Sequence, residues 1–159
     1  MEASRDTARE AGAREGAART LAQATCIAGG VILIAVGVLG FFFGGTDFGV
    51  GNVDGRQFEE FLGFEVNGWH NVVHIATGAF LLLMSPKAAT AVTGLIIFGA
   101  AYVVVAIWGF VDGDDVIGLI PVNFADNVLH AVLAVGTLLV AAMSGGLAAA
   151  SRKKGREAT

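Results

Sequence analysis

Charge, cysteine, proline and tyrosine are all scarce in this chain of 159 residues. A single cysteine, Cys26, excludes a disulfide framework within one chain and reads as a buried structural thiol. Only two prolines, Pro86 and Pro121, interrupt it, so long stretches are free of helix breakers. Charged residues amount to 15%, and none falls within Thr20–Thr46, Val66–Pro86, Ala88–Val111 or Asn127–Ser151. A soluble amphipathic helix needs a polar face, and these windows show none. They also lack the strict alternation of a barrel strand and exceed the roughly 10 residues such a strand needs. Walker loops, nucleophile elbows and dinucleotide fingerprints are missing. The few serines, Ser4, Ser85, Ser144 and Ser151, stand away from every histidine-bearing segment, which argues against a serine hydrolase and against an enzyme in general.

What is there is apolar: 55% hydrophobic residues and a mean hydropathy of +0.69. A hydrocarbon layer of about 30 Å needs about 20 apolar helical residues, and a lipid-exposed backbone must satisfy its own hydrogen bonds. The pattern predicts an all-α, four-helix transmembrane bundle, with helices at about 21–44, 67–85, 88–111 and 123–150. A charged segment, 1–20, precedes the transmembrane domain, 21–150, and a basic tail, 151–159, follows it. The first apolar run is longer than the 7–15 residues of a cleavable signal core, so it reads as a signal anchor.

The bases Arg5, Arg9, Arg14, Arg19, Lys87, Arg152, Lys153, Lys154 and Arg156 lie on one side of these helices. Acids dominate the other side, where Arg56 is the lone base among Asp47, Asp54, Glu59, Glu60, Glu65, Asp112, Asp114, Asp115 and Asp126. Nine of ten bases on one side predicts cytoplasmic termini and a cytoplasmic Lys87 turn. The tail then faces anionic lipid, with no reason to invoke nucleic acid. Trp69, Trp108 and Phe41–Phe43 fall at the acidic ends, as interfacial rings do. Phe58, Phe61, Leu62 and Phe64 suggest a short amphipathic segment on the membrane surface. Asp112-Gly113-Asp114-Asp115 reads as a solvated turn, since it lacks the later glutamate of a calcium loop. Glycines within the spans, among them the Gly40/Gly44 pair, suit close helix packing within the chain or in a homo-oligomer.

One segment occurs twice. Val66-Asn67-Gly68-Trp69-His70-Asn71-Val72-Val73-His74 returns 56 positions later as Val122-Asn123-Phe124-Ala125-Asp126-Asn127-Val128-Leu129-His130. The offset pairs helix two with helix four and predicts two hairpins running in the same direction, related by a pseudo-two-fold axis along the membrane normal. Asn67 and Asn123 suit N-caps. One turn separates His70 from His74 and Asp126 from His130, so each pair shares a helix face.

Facing copies would bring together His70, His74, Asp126 and His130, a donor set fit for a divalent transition metal such as zinc. Asn71 and Asn127 would then support the ligands from behind. Three other readings stay open. Asn67, Asn71, Asn123 and Asn127 with the histidines form a purely structural polar centre that locks the bundle by hydrogen bonds. His74 and His130 serve as axial ligands to haem. The histidines form a proton or substrate path.

The paired Asn–His segments, with Gly78 after the first and Ile120-Pro121 before the second, resemble the bacterial membrane proteins grouped as domain of unknown function 4383. The resemblance spans roughly residues 20–147 and departs at Ala134, which stands where the first copy has Gly78. It implies a four-span protein of the bacterial plasma membrane and implies no activity. It also singles out His70, Asn71, His74, Asp126, Asn127 and His130.

Overall fold

A computed structural model describes residues 2–43, 45–50, 59–113 and 115–157, and the side chains among these from 21 to 145. The elements run α1 (Glu2–Phe42), β1 (Glu59–Phe61), β2 (Phe64–Val66), α2 (Gly68–Met84), α3 (Ala88–Asp112), β3 (Asp115–Val116), β4 (Ile120–Pro121) and α4 (Phe124–Glu157). The fold is a four-helix transmembrane bundle. α1 lies along α2 and α3 along α4, giving two hairpins that run in the same direction.

Among the described residues, Leu21–Phe42, Ala88–Asp112 and Phe124–Gly145 are long and apolar enough to cross a membrane. With 17 residues, α2 spans about 26 Å, just short of the hydrocarbon layer. α1 starts at Glu2 and α4 continues to Glu157, so both helices run on through the charged ends of the chain.

Exposed Val31, Ile32, Val104, Ile107, Val132 and Leu139 form an apolar outer surface suited to lipid. The inside is small and mixed. Cys26, Leu33, Leu81, Leu95, Phe98 and Tyr102 make its apolar part, and the Cys26 thiol donates to the carbonyl of Ala91 at 3.5 Å. α1 and α2 touch at a glycine pair: a Cβ on Gly30 would stand 2.7 Å from the Gly78 carbonyl oxygen, and a Cβ on Gly78 equally close to that of Gly30. At the basic end, Gln23 of α1 donates to the carbonyls of Ser85 (3.1 Å) and Pro86 (2.9 Å), which holds the α2–α3 turn. Several spanning glycines thus serve packing within the chain, while Gly136 faces open space; Gly44 lies outside the described residues.

Two small hairpins cap the acidic end. β1 pairs with β2 in the register Glu59↔Val66, Glu60↔Glu65 and Phe61↔Phe64, and β3 pairs with β4 through Asp115↔Pro121 and Val116↔Ile120. The expected surface segment around Phe61 is therefore a β-hairpin, and its first residue, Phe58, lies outside the described residues. Phe61 stacks on Phe43 with ring centroids 5.0 Å apart, while Leu62 is exposed. Leu62 and Gly63 both have positive φ, 57° and 85°, as a two-residue primed turn demands.

In the second hairpin Ile117 has φ 55°, a costly conformation for a β-branched residue. Because Ile117 is exposed, Ile117→Gly should stabilise the protein by about 1 kcal/mol. Equilibrium unfolding in mixed detergent checks this; an unchanged or lowered stability would show that the side chain contributes more than the backbone costs.

Candidate metal centre

The site is built from the starts of α2 and α4. Asn67 has extended backbone, φ −141°, and caps α2: its Oδ1 accepts from the amide of His70 at 2.8 Å. Asn123 does the same for α4, accepting from the amide of Asp126 at 3.0 Å. Each cap has a second task. Asn67 Nδ2 donates to the carbonyl of Leu119 in the β3–β4 turn at 2.7 Å, and Asn123 Nδ2 donates to the carbonyl of Gly63 in the β1–β2 turn at 2.9 Å. Each half of the chain is therefore latched to the turn of the other.

His70 and Asp126, which occupy matching positions in the two copies, grip a single residue. The Glu65 amide donates to Asp126 Oδ2 at 3.0 Å, and the Glu65 carbonyl lies 2.8 Å from His70 Nδ1. A carbonyl can only accept, so Nδ1 of His70 carries the proton and Nε2 keeps its lone pair. Asp126 Oδ2 also accepts from the amide of Asn123 at 3.0 Å, closing the cap of α4.

Three of the four predicted ligands converge. His70, His74 and His130 each offer a ring nitrogen, and these nitrogens lie within 4.8 Å of one another. The ring centroid of His70 is 4.5 Å from that of His74 and 6.0 Å from that of His130. Asp126 stands beside this group without being part of it, its Oδ2 held by two amides. His70 is 2% exposed and His130 5%. Buried without a hydrogen-bond partner are His70 Nε2, His74 Nδ1 and His130 Nδ1. Orphaned buried nitrogens are costly, so three in one place call for a ligand. Tetrahedral zinc with bonds of about 2 Å places nitrogens about 3.3 Å apart, which asks for side-chain shifts of about an ångström.

Asn71 and Asn127 support helices, not ligands. Asn71 Nδ2 donates to the Gly45 carbonyl at 2.8 Å. Its Oδ1 rests against Gly40, and the Oδ1 of Asn127 rests against Gly109, so closely that a Cβ on either glycine would fall on the oxygen. Both oxygens are buried without a partner. Gly109 escaped the sequence reading: Gly40 and Gly109 are 69 positions apart, not 56, because the α1–α2 connection is longer than the α3–α4 one. The partner that orients His70 was equally hidden, being a main-chain carbonyl.

Below the imidazoles lies a cavity of about 380 Å³, roofed by Phe61, Leu62 and Phe64. No curated protein and no solved structure matches the chain. The family model described as domain of unknown function 4383 matches residues 23–143, and with that span covering most of the bundle the chain belongs to this family.

Proposed function

We propose that this protein binds a divalent transition metal such as zinc through His70, His74 and His130, near the outer face of the bacterial plasma membrane. One observation carries the reading: His70, His74 and His130 each bring a ring nitrogen within 4.8 Å of the others, and each ring has a buried nitrogen without a partner. The Glu65 carbonyl on His70 Nδ1 adds support, since metal-ligating histidines donate their other N–H to such a group and so fix the ring. Three histidines leave a fourth position open for water or a small ligand. Haem fits less well, because His74 and His130 face a third imidazole rather than an open slot. A purely structural polar centre accounts for the asparagine caps but leaves the three nitrogens without partners. The outward placement rests on charge: nine of ten bases lie toward the other end of the helices. A reporter fused after Thr159 should read as cytoplasmic, and a periplasmic signal would reverse the orientation.

Protein purified, loaded with zinc and desalted should retain one equivalent per chain. His70→Ala and His130→Ala should each retain almost none, whereas Asp126→Asn should retain it, because that carboxylate serves amides. Elemental analysis decides. Equal metal content in wild type and both histidine variants sinks the reading. Loss in Asp126→Asn alongside the histidine variants would restore the four-ligand set.

A further inference from the structure

The cavity beneath the histidines extends along the helices. On α1 its wall runs from Thr25 to Val36 and on α4 from Asp126 to Thr137, in each case about 16 Å of helix. Its volume of about 380 Å³ lies within the range of sites that hold a small-molecule ligand. Its inner wall is made by Leu33, Leu81 and Phe98, all buried. Its outer edge is made by Ala28 and Ile32 of α1 and Leu129 of α4, which are exposed; Ile32 is 60% exposed and Leu129 37%. The slot is thus open sideways, between α1 and α4, where lipid surrounds the bundle. At the far end the hydroxyls of Thr25 and Thr137 are spent on carbonyls of their own helices, while the partnerless nitrogens of His70, His74 and His130 lie at the other end.

An apolar slot open to the bilayer and polar at one end matches an amphiphile with one tail and a small head. We propose that it takes a long-chain fatty acid, which enters from the membrane between α1 and α4 and places its carboxylate at the three histidines. The head's position there rests on the metal reading, with the carboxylate filling the open fourth position. The tail slot does not depend on it. Asp126 lies at the same end, but its Oδ2 is held by the amides of Glu65 and Asn123, which offset its charge against an incoming carboxylate.

The test uses zinc-loaded full-length protein in lipid nanodiscs and palmitic acid carrying a photoactivatable diazirine at the tail end. Adducts mapped by mass spectrometry are expected at the far end of the slot, around Thr25, Leu81 and Thr137, and should fall at least about tenfold with excess unlabelled palmitate. Gly29→Leu points into the slot, since a Cβ there comes within 3.3 Å of Leu81 Cδ1. It should abolish these adducts. Leu133→Trp, a second plug in the opposite wall, guards against a folding defect, and Gly136→Leu, which faces open space, should leave labelling unchanged. Scattered labelling at Val104 and Val132 without competition overturns the proposal, as does competition by a diacyl phospholipid but not by palmitate. Competed slot labelling in wild-type protein that retains no zinc would reject the metal reading alone. Zinc binding with no competed adducts would reject the slot alone.

Discussion

Asn67→Asp should cost about 2–4 kcal/mol of folding free energy, although aspartate is as good an N-cap as asparagine. The cap itself survives, because a carboxylate oxygen can still accept from the amide of His70, as Oδ1 does now at 2.8 Å. The latch does not. Nδ2 donates to the Leu119 carbonyl at 2.7 Å, and in the variant two acceptors face each other there, one of them charged. Asn67 is 2% exposed, so water cannot relieve the clash. Asn67→Ala loses both bonds but introduces no repulsion, and should be no worse than the aspartate. The same exchange at Asn123 should cost less, about 1–2 kcal/mol, because its bond to Gly63 lies in reach of solvent. Unfolding equilibria of the three variants in mixed detergent provide the measurement. Wild-type stability in Asn67→Asp would mean that the cross-half bond contributes nothing.

Gly109→Ala should destabilise by about 2 kcal/mol or more, in a helix where alanine is ordinarily the better residue. The added Cβ would fall on Asn127 Oδ1, and Asn127 is buried at the helix start with no free direction of retreat. Gly40→Ala meets Asn71 Oδ1 in the same way and also strains the Asn71 bond to the Gly45 carbonyl. Gly136→Ala is the control: nothing lies near it, so it should be neutral or mildly stabilising. Combining Gly109→Ala with Asn127→Ala removes the colliding amide, so the pair should recover part of the loss. Strict additivity would show that the glycine matters for another reason.

Much of this architecture was legible in the chain because lipid and charge write simple patterns. Charge-free windows located the helices, and the Asn67 and Asn123 caps lie where the duplicated segment put them. Convergence of His70, His74 and His130 followed from the offset of 56 and the direction of the two hairpins. Three things were not legible. The β-hairpins are two or three residues per strand and turn through Leu62 and Ile117 at positive φ, where no propensity would place them. The glycine seats of Asn71 and Asn127 hide because connection lengths differ, which breaks the common offset. The role of Asp126 hides because its partner is a peptide group. The main chain of a single residue has one donor and one acceptor, so the two copies that grip Glu65 need opposite chemistry there: histidine for the carbonyl, carboxylate for the amide. The difference that suggested a mixed ligand set also follows from this local geometry.

The latches between the halves join residues 52 to 61 positions apart in the chain, and two of the three engage Asn123 or Asp126 at the start of α4. Until α4 is in place, His70 and His74 lack His130, and the Gly63 turn lacks the Asn123 that holds it to the opposite half. The histidine cluster is therefore a late product of biogenesis. Only a chain in which α4 has packed against the other helices can assemble it, so the cluster would report on completed assembly of the bundle.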